Sequence, residues 1–328
     1  MGEGAMGGLG AAVGADLPGG FGVGTGLIRA TQVAREAEVR RSVNGVRFAT
    51  FGETGVPAPD LDRMLEAVPD AIAKALKDNT YYFVPLALRE TDAVEMPARR
   101  REPDSSDQAM VAPAWTEDLG DAAICHRNVE LGSGNRGVFI STRLMGDRFA
   151  LSFEFFINVA HAYVDEAGVP ERFAELAWSQ VTNNVRGETS LDAWESRNLA
   201  LGRPANWEPE PPATLTGARR GRSFGSGAGR SNRLFGAAPA GGIVALQAAG
   251  ETPVADAKER EMFLESAFSD ALAIYLLSLA LDLDYSELRE RDYPLLAPGA
   301  LAERLRLVAE LFPPNTGYEF AVRYRRRA

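Results

Sequence analysis

Apolar and polar positions along the chain follow two rhythms, one with the period of a strand and one with that of a helix. Residues 38–43 and 46–51 are extended runs on either side of Asn44-Gly45. Asn-Gly supplies the two positive-φ residues of a type I′ turn, so the pattern predicts a hairpin. Leu61, Met64, Leu65 and Val68 recur at helical spacing and predict a helix from Pro59 or Asp60 to Lys77, kinked or restarted at Pro69. Residues 81–88 are aromatic and aliphatic, a run of strand length in which Pro85 favours an edge position. A second hairpin is predicted from 122–131 and 138–145 around a Gly-rich turn.

Helical spacing dominates the second half. A helix over 153–167 is expected to end at Gly168, and Pro170 opens the next, which runs to Val185. Phe173, Ala177, Val181 and Val185 form the buried stripe of that second helix. Ser190 caps a third helix, through Leu201, halted by Gly202 and Pro204. Residues 256–281 and 300–312 read as two further helices, the latter stopped by Pro313-Pro314, and 318–324 as a closing strand. The fold class is therefore α+β. The early order of strand, helix, strand, two strands and helix is compatible with a ferredoxin- or RRM-like βαββαβ core carrying a large helical extension and long inserted loops.

Breaks in this pattern suggest the domain plan. Residues 1–26 contain 11 glycines and read as a flexible arm. Residues 27–202 form an α+β core with the helical trio, and 89–120 lack periodicity and read as a long insertion. Residues 203–255 are a Gly/Arg-rich loop or linker, and 256–328 a helical block whose last strand packs on the core.

Composition narrows the function classes. A hydrophobic fraction of 45% suits a globular chain, and the single cysteine, Cys125, excludes an intrachain disulfide framework. A cytoplasmic location is expected. The apolar run 271–281, flanked by Asp270, Asp282 and Asp284, is about half the length of a membrane span. The glycine-rich N-terminus has no basic n-region and predicts no secretory signal. A net charge of −10 argues against a surface coated with basic charge. Local patches would carry any polyanion contact: Arg99, Arg100 and Arg101; Arg219, Arg220, Arg222, Arg230 and Arg233; and Arg323 with Arg325, Arg326 and Arg327.

Four features carry candidate chemistry. Glu154, Asn158, His161 and Asp165 project from one helix face and could serve acid–base catalysis or bind a metal; equally, they are the wet face of a buried helix. Cys125 and His126 are strand neighbours pointing to opposite faces, which leaves Cys125 with His161 as a tertiary pair, or Cys125 as a small buried hydrophobe. Residues 132–137 match G-x-G-x-x-G, but a strand follows, so the match reads as a hairpin loop rather than a dinucleotide site. Residues 211–250 contain no acid; their five arginines, with Phe224 and Phe235 interleaved, can track a phosphate backbone and stack on bases, or serve as a soluble linker. No cofactor or metal is assigned. Trp178, Trp194 and Trp207 read as core and capping aromatics, and the acidic group Asp282, Asp284, Glu287, Glu290 and Asp292 as a solvated helix end or a partner for the arginine loop of another copy.

Tyr163-Val164-Asp165, residues 173–177, Asn183-Asn184, Trp194 and Arg197-Asn198 resemble a helical stretch of Cas7-type subunits, the RNA-binding backbone of CRISPR guide complexes. The resemblance covers about a tenth of the chain. It implies an RRM-like core with inserted loops. Three readings follow: a non-enzymatic RNA-binding or scaffold subunit using Arg219, Arg220, Arg222, Phe224, Arg230, Arg233 and Arg99 to Arg101; a hydrolase using the helix stripe; or a structural homo-oligomer without nucleic acid.

Overall fold

The computed structural model describes residues 26–89, 109–115, 125–142, 148–207, 256–281 and 293–322. In chain order the first elements are β1 (Ile28–Arg29), α1 (Ala30–Glu36), β2 (Arg40–Arg41), β3 (Arg47–Thr50), α2 (Ala58–Glu66) and α3 (Asp70–Ala75). Next come β4 (Asn79–Val84), β5 (Leu86–Arg89), β6 (Ala109–Ala112), β7 (His126–Glu130) and β8 (Arg136–Ser141). Five helices complete the order: α4 (Arg148–Ala167), α5 (Glu171–Thr182), α6 (Leu191–Ala200), α7 (Ala257–Ala280) and α8 (Pro298–Leu311).

The protein is α+β, with two sheets. One has the order β1-β6-β5 and the other β2-β3-β4-β8-β7. The ferredoxin-like arrangement is not confirmed: β3 and β4, joined through α2 and α3, are neighbours, whereas a split βαβ core inserts a strand between such a pair. The run 81–88 is two strands in different sheets, with the break at Pro85. A residue without an N–H cannot continue a ladder, so the chain turns there. β5 is an edge strand as expected, but β4 is interior.

Contacts divide the chain into two compact units that interleave in sequence. Unit one comprises Met1–Glu38, Ala49–Gly55 and Tyr81–Leu144; unit two comprises Val39–Phe48, Val56–Thr80 and Met145–Ala328.

In unit one, Tyr82 stacks on Phe139 at 4.5 Å, inside a core that includes Ala30, Val33, Val84, Val111 and Val129. The β7–β8 hairpin turns through Gly132, Ser133 and Gly134, all at positive φ. The G-x-G-x-x-G match is therefore a hairpin loop. β6 falls within the stretch read as an insertion, and β1 and α1 were also not predicted. A strand of two to four residues has too few alternations to read; β6 exists because β1 and β5 pair with it on either side.

In unit two the β2–β3 hairpin forms, but not with a type I′ turn. Of Asn44-Gly45 only Gly45 has positive φ, +91°. Gly45 N donates to Ser42 O and Ser42 N to Val46 O, both at 3.0 Å. That is a type I turn followed by a left-handed glycine, the three-residue hairpin loop. Asn44 is thereby free to cap a helix: its Nδ2 donates to Leu65 O (2.9 Å) and Val68 O (2.6 Å) where α2 ends. Asn315 Nδ2 donates to Glu66 O (3.0 Å) and Val68 O (2.8 Å) at the same corner. Pro69 splits α2 from α3 as the sequence suggested.

The long helix α7 is the core of unit two and packs on α4, α5, α6 and α8. Phe268 on α7 meets Phe173 at 5.0 Å, Tyr163 at 6.0 Å and Phe312 at 6.4 Å. Among the described residues α7 alone has the length and hydropathy of a membrane span, and 61% of its apolar window is buried, the setting of a core helix. Several predicted boundaries hold. Gly168, at φ +71°, ends α4, Ser190 Oγ accepts from Ala193 N at 3.1 Å to cap α6, and Asp256 caps α7. The closing strand does not form over 318–322. Tyr318 instead donates its hydroxyl to Arg63 O at 3.0 Å.

Candidate functional site

The greatest concentration of buried charge among the described residues lies in unit two, around Glu188. Glu188 and Arg304 are fully buried, and Arg197, Gln180 and Asp270 nearly so. Charges are left inside a protein only where partners replace water. Here Glu188 Oε2 accepts from Arg304 Nη1 at 2.9 Å, and Oε1 from Arg197 Nη1 at 3.1 Å and Arg304 Nη2 at 3.4 Å. Arg197 also donates to Gly187 O (2.8 Å) and Val185 O (2.7 Å). Arg304 Nε donates to Gln180 Oε1 at 2.8 Å, and Gln180 Nε2 to Ala300 O at 3.1 Å.

The backbone around Glu188 is equally constrained. Glu188 N donates to Pro294 O (3.0 Å) and Leu296 N to Glu188 O (2.9 Å), a single parallel bridge. Gly187 has φ +77°, and a Cβ there would meet Leu295 O at 2.0 Å. Only glycine fits, for both its conformation and the approach of the neighbouring chain.

Asp270 extends the cluster from α7. Its Oδ2 accepts from Thr189 Oγ1 at 2.8 Å. Burial pushes its carboxyl up to about 6, opposed by hydrogen bonds from Ser190 and Thr189. Burial also lowers the Arg197 guanidinium from its usual value, with the Glu188 charge acting the other way. Arg197 Nε and Asn198 Oδ1 are buried without a hydrogen-bond partner. With nearly every other group committed to protein, the cluster works as a lock on the 185–190 loop, holding α5, α6, α7 and α8 around it.

Sequence reasoning missed this cluster, although a signal was present. Arg304 sits in a helical stripe with Leu301, Leu305 and Val308, all buried. Asp270, read as flanking an apolar run, lies well inside α7. A charge on the apolar face of a helix asks for a buried counter-charge. Which one cannot be read locally.

The expected site residues are placed as follows. Glu154, Asn158, His161 and Asp165 lie along α4, but they differ in setting: Asn158 is buried, Glu154 and His161 are half-buried, and Asp165 is exposed. Asn158 Nδ2 donates to Glu154 Oε1 at 2.9 Å and to Glu154 O at 2.7 Å, which ties the stripe to its own helix. Among the described residues no three His, Cys, Asp or Glu side chains are grouped to hold a metal ion. Cys125 belongs to unit one and His161 to unit two, and His126 Nε2 lies 2.7 Å from Leu88 O. Arg99, Arg100, Arg101, Arg219, Arg220, Arg222, Phe224, Arg230, Arg233 and the acidic group at 282–292 fall outside the described residues.

Trp178 and Trp194 are packing groups. Trp194 is buried with Arg197 over its ring at 5.5 Å, and Trp178 takes Arg260 at 4.7 Å. No family model, curated protein or solved structure matches this chain.

Proposed function

We propose that this chain is a non-enzymatic, RNA-binding subunit of a cytoplasmic assembly, and that residues 211–250 make the contact. The observation that carries the reading is how the chain is fastened on either side of that stretch. On the N-terminal side, Asn198 Nδ2 donates to Ala205 O (2.8 Å) and Trp207 O (3.2 Å), and Arg203 lies over the Trp207 ring at 4.0 Å. On the C-terminal side, Asp256 accepts from Lys258 N (2.9 Å) and Glu259 N (3.3 Å) to open α7. α6 and α7 pack on one another, and Arg197 locks α6 to Glu188.

A stretch with five arginines and no acid is thus tethered at both ends to one frame. Tethering reduces the conformational entropy that such a segment gives up when it is ordered on a ligand. Acid-free arginine and glycine with interleaved Phe224 and Phe235 suits a phosphate backbone and base faces. The resemblance to Cas7-type subunits agrees in kind, although its Trp194, Arg197 and Asn198 serve the core here.

The test is anisotropy of fluorescein-labelled single-stranded RNA across a salt series. Replacing Arg219, Arg220, Arg222, Arg230 and Arg233 with Ala should flatten the logarithmic salt slope by about 2–3, at about 0.7 for each phosphate no longer neutralised. An unchanged slope and affinity would overturn the reading.

A further inference from the structure

We infer that Asn44-Gly45, at the tip of the β2–β3 hairpin of unit two, is a spontaneous modification site: the fold holds its deamidation back, and conversion of Asn44 frees the hairpin from the end of α2. The step needs water and no other co-reactant. The backbone nitrogen of Gly45 gives up its proton and attacks Cγ of Asn44. The bond from Cγ to Nδ2 breaks, and ammonia leaves with that proton. Water then opens the cyclic imide on either side of its nitrogen, leaving an aspartate or an isoaspartate in which the main chain runs through Cγ.

Three observations mark the pair as reactive. Glycine has no side chain to shield its own nitrogen, and a Cβ built at Gly45 would meet nothing within 4 Å, so the ring has room to form. Solvent reaches the tip: Val43 is 87% exposed, and Asn44 and Gly45 are half-buried. Ser42 Oγ donates to Asn44 Oδ1, the oxygen on which negative charge collects when Cγ is attacked, and a donor aimed at developing charge lowers the barrier.

The same turn keeps the step from running. Gly45 N donates to Ser42 O at 3.0 Å, so its proton is committed. Asn44 Nδ2 donates to Leu65 O (2.9 Å) and Val68 O (2.6 Å). The leaving group is thereby tied to the end of α2 and has to be pulled free before Cγ closes on Gly45 N. Attack waits for local opening, at a rate set by the open population. Asn315 fastens the same corner: its Nδ2 donates to Glu66 O (3.0 Å) and Val68 O (2.8 Å), and its Oδ1 accepts from Asp70 N at 2.9 Å. Once converted, the side chain does not return. A carboxylate has no hydrogen for Leu65 O or Val68 O, and it brings negative charge to the negative end of a helix.

The test is peptide mapping of the full chain aged in mildly alkaline buffer, folded and in urea. Trypsin, cutting after Arg41 and Arg47, releases residues 42–47 as one peptide, in which asparagine, aspartate and isoaspartate are separated by chromatography with mass detection. Opening the corner breaks two or three hydrogen bonds, so the folded rate should lie about ten- to a hundredfold below the rate in urea. Asn315→Ala should raise the folded rate by about threefold or more and leave the rate in urea unchanged. Asn44→Asp should melt about 4–8 °C below wild type, as should the converted fraction of aged wild-type protein separated by ion exchange. Equal rates in the folded and unfolded chain, or a folded rate indifferent to Asn315→Ala, would overturn the gate. Asn44 intact in the folded chain after the unfolded chain has fully converted would overturn the site. A converted fraction that melts as wild type would overturn the release, and it decides the matter even where Asn44→Asp does not fold.

Discussion

Arg197 and Arg304 lie inside unit two against the shared carboxylate of Glu188, whereas Arg41 and Arg47 face one another across a surface hairpin. The same side chain serves two different ends because the surrounding dielectric differs. In the interior a guanidinium without an acceptor costs several kcal/mol, so each buried arginine is hemmed in by named oxygens. At the surface, water screens the repulsion to a few tenths of a kcal/mol. Like charges can then stand opposite one another at little cost. Buried charge in this protein serves its architecture, whereas the facing charges of the hairpin are tolerated because water screens them.

The largest effect should come from breaking the buried side of that comparison. Arg304→Ala strips Glu188 of one partner and leaves a charge inside; a destabilisation of about 3–5 kcal/mol is expected in urea unfolding. Gly187→Ala comes next. A left-handed alanine whose Cβ overlaps Leu295 O forces the 187–188 and 294–296 segments apart, at a cost of about 2–4 kcal/mol by the same measurement.

Asp270 gives a smaller, pH-dependent effect. Its folded carboxyl, raised to about 6 against an ordinary 3.8, holds a proton that the unfolded chain releases first. Stability is therefore lost as pH rises from about 4 to about 6 and is level above that, by on the order of 1–3 kcal/mol. Asp270→Asn removes this slope, so the difference between variant and wild type across pH 4–7 isolates it; parallel curves would show that the carboxyl does not titrate in this window. The smallest effect is at the surface. Arg41→Glu should stabilise by about 0.2–1 kcal/mol in low salt and by less in high salt, since an opposite-charge pair replaces a like one.

Legibility in the sequence tracked the range of the physics. Pro69, Gly168, Ser190 and Asp256 marked helix ends correctly because a proline, a left-handed glycine or a capping oxygen acts within one turn of the chain. The buried stripe Phe173, Ala177 and Val181 was readable for the same reason, but Val185, expected to continue it, lies past the helix end at Thr182 and is only half-buried. The Asn44-Gly45 turn was found but mistyped: Asn44 turns its amide to the end of α2, a demand arising some 20 residues away. On α4 the residues expected to share a wet face divide between interior and surface, because neighbouring helices cover Asn158 and leave Asp165 open. β1 and β6 left no trace, since strands this short owe their form to their neighbours.

By itself, then, the sequence determined where helices begin and end, that strands and helices combine in an α+β chain, and that arginine is concentrated apart from acid between α6 and α7. Tertiary structure alone decided that Pro85 would divide two sheets. It alone brought Glu188 to Arg304, 116 residues away, and set Asp270 beside Thr189. Caps and turns are settled by neighbours in the chain, whereas a buried charge is settled by whichever distant partner can replace its water, and no local pattern records that partner.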